Sequence, residues 1–395
     1  MKQHVEQLAA LVRKPARTII GLMSGTSLDG LDVALCTVEG SGFLTKIRVE
    51  HFATVPYDAD FRKDVRRVFA QPSIDFQHLV LLNVVVAERH AAIVNDLLAQ
   101  WSVSPQAVDL IASHGQTVFH APRQFHGLPA YPNATLQIGD GDHIARRTGI
   151  TTVSDFRQKH LAAGGEGAPL ALYGDYFLFS QPGEDRFLLN LGGIANFTFL
   201  PGDSDPAKVF ATDTGPGNTL LDAAARRFFD LPCDTDGHLA RQGRVDADLL
   251  ARLKNHPYFA RPYPSSTGPE QFGLDWVLEQ TRSTATSPHD LLATLAHLTA
   301  DTVADGIRRV QPTAEKRAVF LSGGGAHNPL LVESLRENLP GCTLTGMEAL
   351  GFSGDAKEAV LFAVLANETV AGQTPPEARL GGLPLVGMGK ISFPG

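Results

Sequence analysis

No stretch of this 395-residue chain approaches the ~18 to 20 consecutive apolar residues that a membrane-crossing helix needs. The opening run, "MKQHVEQLAALVRKPA", carries charges within its only apolar segment, so it is no secretory leader. Both absences point to a cytoplasmic protein without a membrane partner. Cysteine is scarce: Cys36, Cys233 and Cys342 are odd in number and lack CxxC spacing, which leaves buried reduced thiols as the expectation. Basic clusters are missing as well, and 34 Lys and Arg against 42 Asp and Glu give a net charge of −8. Nucleic acid is therefore not the expected partner, because phosphate backbones demand grouped cations. Finally, GxxxxGK[ST], GxSxG and HExxH do not occur, and Gly139-Asp140-Gly141 and Gly215-Pro216-Gly217 lack the last glycine of GxGxxG. P-loop, serine-nucleophile and zinc-hydrolase chemistry are thereby unsupported.

What is present is an ordinary globular composition, 43% hydrophobic with 38 glycines and 25 prolines, in a chain long enough for two cores. One pattern recurs. Arg17–Val38 and Arg186–Leu200 each read as strand, small turn, strand, whereas Lys208–Phe229 and Arg317–Leu339 read as strand, glycine turn, helix. Val108–His120 reads as a strand ending in a polar turn. Phe76–Gln100, Leu291–Val310 and Glu358–Val370 read as helices, and Val5, Leu8, Leu11 and Val12 mark a short amphipathic lead helix. The expectation is an α/β protein of two related halves with ligand loops at strand ends. The halves should change over between about Gly149 and Arg186, through "AAGGEGAPL", and the C-terminal run should return to the first half.

The chemistry-bearing stretches are bends. Between the first two strands lie Ser24, Gly25, Thr26, Ser27, Leu28, Asp29, Gly30, Leu31 and Asp32. Glycines there let the backbone turn and form an anion nest, to which the hydroxyls add donors. Asp29 and Asp32 would repel a phosphate unless a hydrated Mg²⁺ lay between. A polar surface hairpin is the alternative. Gly192 and Gly193 could grip the same phosphates, and Gly323, Gly324 and Gly325 leave room for a flat group such as a base. Asp213 ends a strand ahead of a glycine turn, where a carboxylate can act as a general base or merely cap a turn. Glu358 reads as a first-turn helix residue suited to the dipole. His114, His120 and His143 share no metal-ligand spacing. Arg157 could bind a carboxylate or phosphate, or pair with Asp155 at the surface.

In their order, "GLMSGTSLDGLDVAL", "SHGQTVFH", "LQIGD", "DFR…AAGGEGAPL", "LNLGGIANFT", "DTGPGN", "STG", "SGGGAHNPLL" and "EAVLFAVLA" resemble the anhydro-N-acetylmuramic acid kinases from Thr18 to Pro394. The resemblance implies two ribonuclease-H-like domains of the actin–hexokinase superfamily around an ATP cleft. It implies a lead segment 1–16, a first domain 17–155 joined by 375–395, and a second domain 156–374. Gly25–Asp32 match the ATP phosphate hairpin, with Asp29 on the Mg²⁺ side. Gly192–Gly193 match the second phosphate loop and Gly323–Gly325 the adenosine loop. Asp213 matches the catalytic base, Glu358 an acid associated with the reacting water, and His114, Gln116 and Arg157 the sugar side. The implied partners are ATP and an anhydro sugar, with a homodimer admitted. The implied reaction opens a 1,6-anhydro ring while phosphorylating the sugar, in cell-wall recycling. This chain departs from the family pattern, which usually has aspartate, glutamine, lysine and arginine where His160, Glu166, Ser265 and Pro269 stand here. Another anhydro sugar such as levoglucosan, or a non-catalytic ATP-binding regulator, are the competing readings.

Overall fold

The two apolar runs flanking the first bend become β1 (Ala16–Ser24) and β2 (Gly30–Glu39), paired antiparallel. Both faces of β1 are covered, which is why it reads as a continuous apolar run rather than an alternating one. The computed structural model describes residues 2–281, 286–351, 356–373, 375 and 377–395. Among these, contacts divide the chain into two units, residues 1–178 with 352–395, and residues 179–351.

In the first unit β2 continues antiparallel to β3 (Lys46–Pro56), while β1 runs parallel to β4 (Leu110–Ala121). β5 (Ala134–Ile138) pairs antiparallel with the far part of β4, and β6 (Thr152–Ser154) runs parallel to its near part. The second unit repeats this plan. β7 (Glu184–Leu191), β8 (Ile194–Leu200) and β9 (Phe210–Pro216) form an antiparallel meander, and β10 (Lys316–Ser322) and β11 (Cys342–Gly346) add parallel strands beside β7. Leaving out β5, which pairs with β4 off the main path, and the returning C-terminal strand, the orders β3-β2-β1-β4-β6 and β9-β8-β7-β10-β11 are both 3-2-1-4-5. This is the ribonuclease-H-like order expected from the sequence, present twice. After it come a small hairpin of β12 (Arg379–Leu380) and β13 (Leu383–Pro384), then β14 (Lys390–Ser392), which pairs with β6 as the returning C-terminal run should.

Strand alternation sorts the first unit's core. Ile20, Leu22, Val33 and Leu35 join Leu82, Val86 and Val94 of the Phe76–Gln100 helix in one cluster. The opposite face of β1 meets the Lys357–Ala371 helix, buried from Ala359 to Glu368. That helix needs Gly21: a Cβ there would stand 1.8 Å from the Ala359 carbonyl oxygen. The second unit is built on Phe187, Phe197 and Phe199, whose rings meet in tilted and edge contacts beneath the Pro288–Arg309 helix.

Three expectations change. Residues 156–178 and 352–374 belong with the first unit, because the Lys357–Ala371 helix packs on β1, β2 and β4 and the Tyr173 hydroxyl donates to the Pro384 carbonyl at 2.7 Å. His114–Gln116 are not a turn but lie inside β4, which kinks at Gly115 (φ +74°) and runs on against β5. Of the cysteines, Cys36 is buried but Cys233 is exposed. The lead helix forms over Lys2–Val12. Among the described residues no helix is long and apolar enough to cross a membrane.

Gly21→Ala is expected to destabilise the chain by at least about 1–3 kcal/mol, since backbone rather than a pliable side chain blocks the added methyl. Chemical denaturation compared with the unmodified chain checks this, and an unchanged midpoint would refute the close approach.

Candidate active site

The first bend is not turned by its glycines. Leu28 takes the left-handed conformation (φ +59°) and is 1% exposed, locked in the core beside Leu31. Burying a leucine anchors a backbone state that ordinarily costs about 1–2 kcal/mol. Side chains of Leu28 and Leu31 therefore face the protein, and only their backbone is available to a ligand, whereas Thr26, Ser27 and Asp29 are exposed. Gly30 serves packing, since a Cβ would lie 2.5 Å from the Val55 carbonyl oxygen. Asp32 accepts from Thr54 Oγ1 at 2.6 Å, so its charge is engaged, and Asp29 is the exposed carboxylate of the bend.

Behind the bend lies a buried polar chain. Ser24 Oγ donates to Gln116 Oε1 at 2.5 Å, the Tyr57 hydroxyl donates to Ser24 Oγ at 2.9 Å, and His90 Nε2 stands 2.9 Å from that hydroxyl. Burial holds His90 down to about 4, so it is neutral. Gln116 also donates to the Gly25 carbonyl at 3.4 Å. It is fully buried, and its side chain braces the bend. His114 is likewise buried, and its Nε2 accepts from Arg157 Nε at 3.0 Å. Both expected sugar-side residues are thus engaged in hydrogen bonds inside the unit. Glu358, in the first turn of the Lys357–Ala371 helix, is exposed.

In the second unit three loops converge. Gly192–Gly193 is the two-residue bend between β7 and β8, and its carbonyls accept from Asn218 N at 2.8 Å, Gly217 N at 2.9 Å and Thr219 N at 3.2 Å. The start of the Asn218–Phe229 helix is thus seated on the bend, and Gly217 has no room for a Cβ, which would lie 2.3 Å from the Gly192 oxygen. Ser322 pairs with Asn190, which brings Gly323 against Asn190 and Leu191, and Gly325 against Leu191 and Asn218. Gly323 and Gly324 are exposed, Gly325 is buried.

Asp213 pairs with Asn196 across β8 and β9 and is half-buried. Its backbone N–H donates to the Ser265 carbonyl at 3.0 Å, its carbonyl accepts from the Tyr258 hydroxyl at 2.8 Å, and its Oδ2 accepts from Thr267 N at 2.8 Å. Burial raises its carboxyl above the ordinary aspartate range, against a smaller downward pull from the Thr267 N–H. Sequence reasoning missed Tyr57, His90, Tyr258 and Thr267 as supports. Only Thr267 lay in a quoted motif, "STG"; the tyrosines and His90 carry no local signal.

Among the described residues no group of three or more His, Cys, Asp or Glu side chains could hold a metal ion by itself. The oxygens of Asp29, Thr26 and Ser27 suit a hydrated Mg²⁺ that takes its other ligands from water and phosphate.

A duplicated 3-2-1-4-5 sheet, with a glycine-bearing bend on the first hairpin of each copy, is the two-domain architecture of the actin–hexokinase type. The profile described as "Anhydro-N-acetylmuramic acid kinase" matches residues 17–381. A protein of that name from Pseudoalteromonas atlantica is 49% identical over 400 residues, covering 100% of both chains, the lead segment included. Another from Bacillus thuringiensis is 39% identical, covering 95% of this chain and 99% of its own. This chain belongs to the anhydro-N-acetylmuramic acid kinase family. Among solved structures, a 2-hydroxyisocaproyl-CoA dehydratase activator from Clostridium difficile covers 90% of this chain and 96% of its own at 12% identity. Its TM-score of 0.38 adds nothing to the topology.

The raised Asp213 carboxyl gives its expected role as general base a pH test. A base works ionised, so kcat/KM for the sugar should fall with decreasing pH at a point above the ordinary aspartate value of about 3.9. A pH–rate profile with no such limb above that value would remove the base from Asp213.

Proposed function

We propose that the chain transfers the γ-phosphoryl group of ATP to O6 of a 1,6-anhydro sugar while water opens the anhydro ring, turning 1,6-anhydro-N-acetylmuramic acid into N-acetylmuramic acid 6-phosphate. The observation that carries this reading is Asp213, a half-buried carboxylate fixed through backbone and one oxygen by a single segment, Tyr258–Thr267. Water adds to the anomeric carbon and gives its proton to Asp213, and the bond from that carbon to the bridging oxygen breaks. The released oxygen bonds to the γ-phosphorus, whose bond to the β–γ bridging oxygen breaks to leave ADP. Glu358 orients the water.

The backbone of Gly25–Asp32 and the Gly192–Gly193 bend hold the phosphates, and Gly323–Gly325 take the adenosine. Mg²⁺, held by Asp29 and the nearby hydroxyls, would neutralise phosphate charge. Most of the rate then comes from positioning and fixed charge rather than from covalent chemistry on the protein. The reaction is assigned to the cytoplasm, where ATP is supplied.

Asp213→Asn should leave ATP binding nearly unchanged and lower turnover by about 10² to 10⁴, the range for losing a general base. A coupled assay for ADP release, run with 1,6-anhydro-N-acetylmuramic acid and with levoglucosan, tests both parts. Turnover on levoglucosan alone would move the substrate to a plain anhydro sugar. ATP binding without ADP release on either sugar would end the catalytic reading.

A further inference from the structure

Arg157 has work inside the first unit that its expected sugar contact does not explain. Its Nε–H donates to His114 Nε2 at 3.0 Å and its Nη1 donates to the Gly167 carbonyl at 2.6 Å. These bonds take two of the five N–H donors of a rigid planar fork, so the direction of the remainder is set. Accepting at Nε2 obliges His114 to be the neutral imidazole protonated at Nδ1. Burial first, and the Arg157 charge second, push His114 down to about 3, so this state holds at any working pH.

The bracket faces the Glu358 helix. The His114 ring packs on Phe362 with centroids 4.9 Å apart, and Phe156, the chain neighbour of Arg157, packs on the same ring at 5.3 Å. Phe362 and Glu358 are four residues apart on one helix, hence on one stripe, with Glu358 a turn nearer the N-terminus. The stripe bearing Glu358 is therefore the one turned to His114 and Arg157. Consistently, burial lowers the Arg157 guanidinium to about 10, and Glu358 is the charge that opposes the fall.

We propose that Arg157 is a positioning residue for Glu358, aimed by the neutral His114 imidazole and the Gly167 carbonyl. The assignment rests on the reading of Glu358 as the acid that orients the reacting water. A carboxylate on an exposed helix turn has several rotamers, and a fixed guanidinium facing its stripe of the helix favours one.

A double-mutant cycle in steady-state kinetics, with ATP and 1,6-anhydro-N-acetylmuramic acid, tests it. Arg157→Ala should lower kcat by about tenfold or more, with both KM values little changed. In a Glu358→Gln background the same change should cost less than about threefold, because the residue it positions is already disabled. Added guanidinium ion should restore part of kcat in Arg157→Ala but not in the double variant, a rescue that a purely structural role would not show. Equal losses in both backgrounds, or a raised sugar KM at unchanged kcat, would overturn the proposal, the latter assigning Arg157 to the sugar directly. Full activity of Glu358→Gln alone would instead strike the catalytic reading of Glu358. If Arg157→Ala does not fold, His114→Gln, which keeps an acceptor, and His114→Leu, which does not, decide the matter. Retained kcat in the first with loss in the second supports the bracket, and equal kcat in both rejects it.

Discussion

Where the Lys357–Ala371 helix crosses β1, the strand has no side chain, and the functional face of the first unit depends on that gap. The Ala359 carbonyl occupies the space a Cβ at residue 21 would need. The approach carries the neighbouring Glu358 to the strand and lets Phe362 reach His114 and Phe156. A helix apolar on all sides could not lie on a surface, so burial dictates its depth and Gly21 permits it. The exposed first turn is then the natural place for an acid, both for solvation and for the positive end of the helix.

The second unit positions its chemistry by hydrogen bonds where the first uses packing. Each bond contributes only about 0.5–1.5 kcal/mol net, but together they over-determine one residue. Asp213 is held at its N–H, its carbonyl and one carboxylate oxygen by Ser265, Tyr258 and Thr267. Similarly, the Gly192–Gly193 carbonyls are occupied by the start of the Asn218–Phe229 helix. A bend whose carbonyls are tied down in this way cannot turn them outward.

The duplicated plan was readable in the sequence because strand, bend, strand and strand, bend, helix each have a strong local signature. Strand ends are harder to read, since Ala16, Arg17 and Ser24 do not continue the apolar run although pairing with β2 extends through them. Residues 114–116 were misread because polar side chains look like a turn, while their partners (Ser24, Arg157 and the β5 backbone) are remote in sequence. The domain edges failed for the same reason: what binds 352–374 to the first unit is a glycine over three hundred residues earlier. Leu28 shows a subtler limit. Its left-handed backbone is paid for by core burial, and no local pattern flags a leucine for that state.

The departures from the family pattern divide by what they do to geometry. His160 accepts from Gly167 N at 2.8 Å through Nδ1, and Gly165 has no space for a Cβ against its ring, so it shapes the loop whose Gly167 carbonyl holds Arg157. Ser265 differs in kind, since its backbone carbonyl makes the bond to Asp213 while its hydroxyl donates to the Tyr258 hydroxyl at 3.2 Å. The placement of the carboxylate therefore survives the change, while its field does not. A lysine at 265 would add a cation beside Asp213 and favour the ionised form. With serine there, burial raises the carboxyl opposed by the Thr267 N–H. The Asp213 carboxylate keeps its backbone anchor and loses a nearby positive charge, so this departure acts on its proton affinity rather than on its placement.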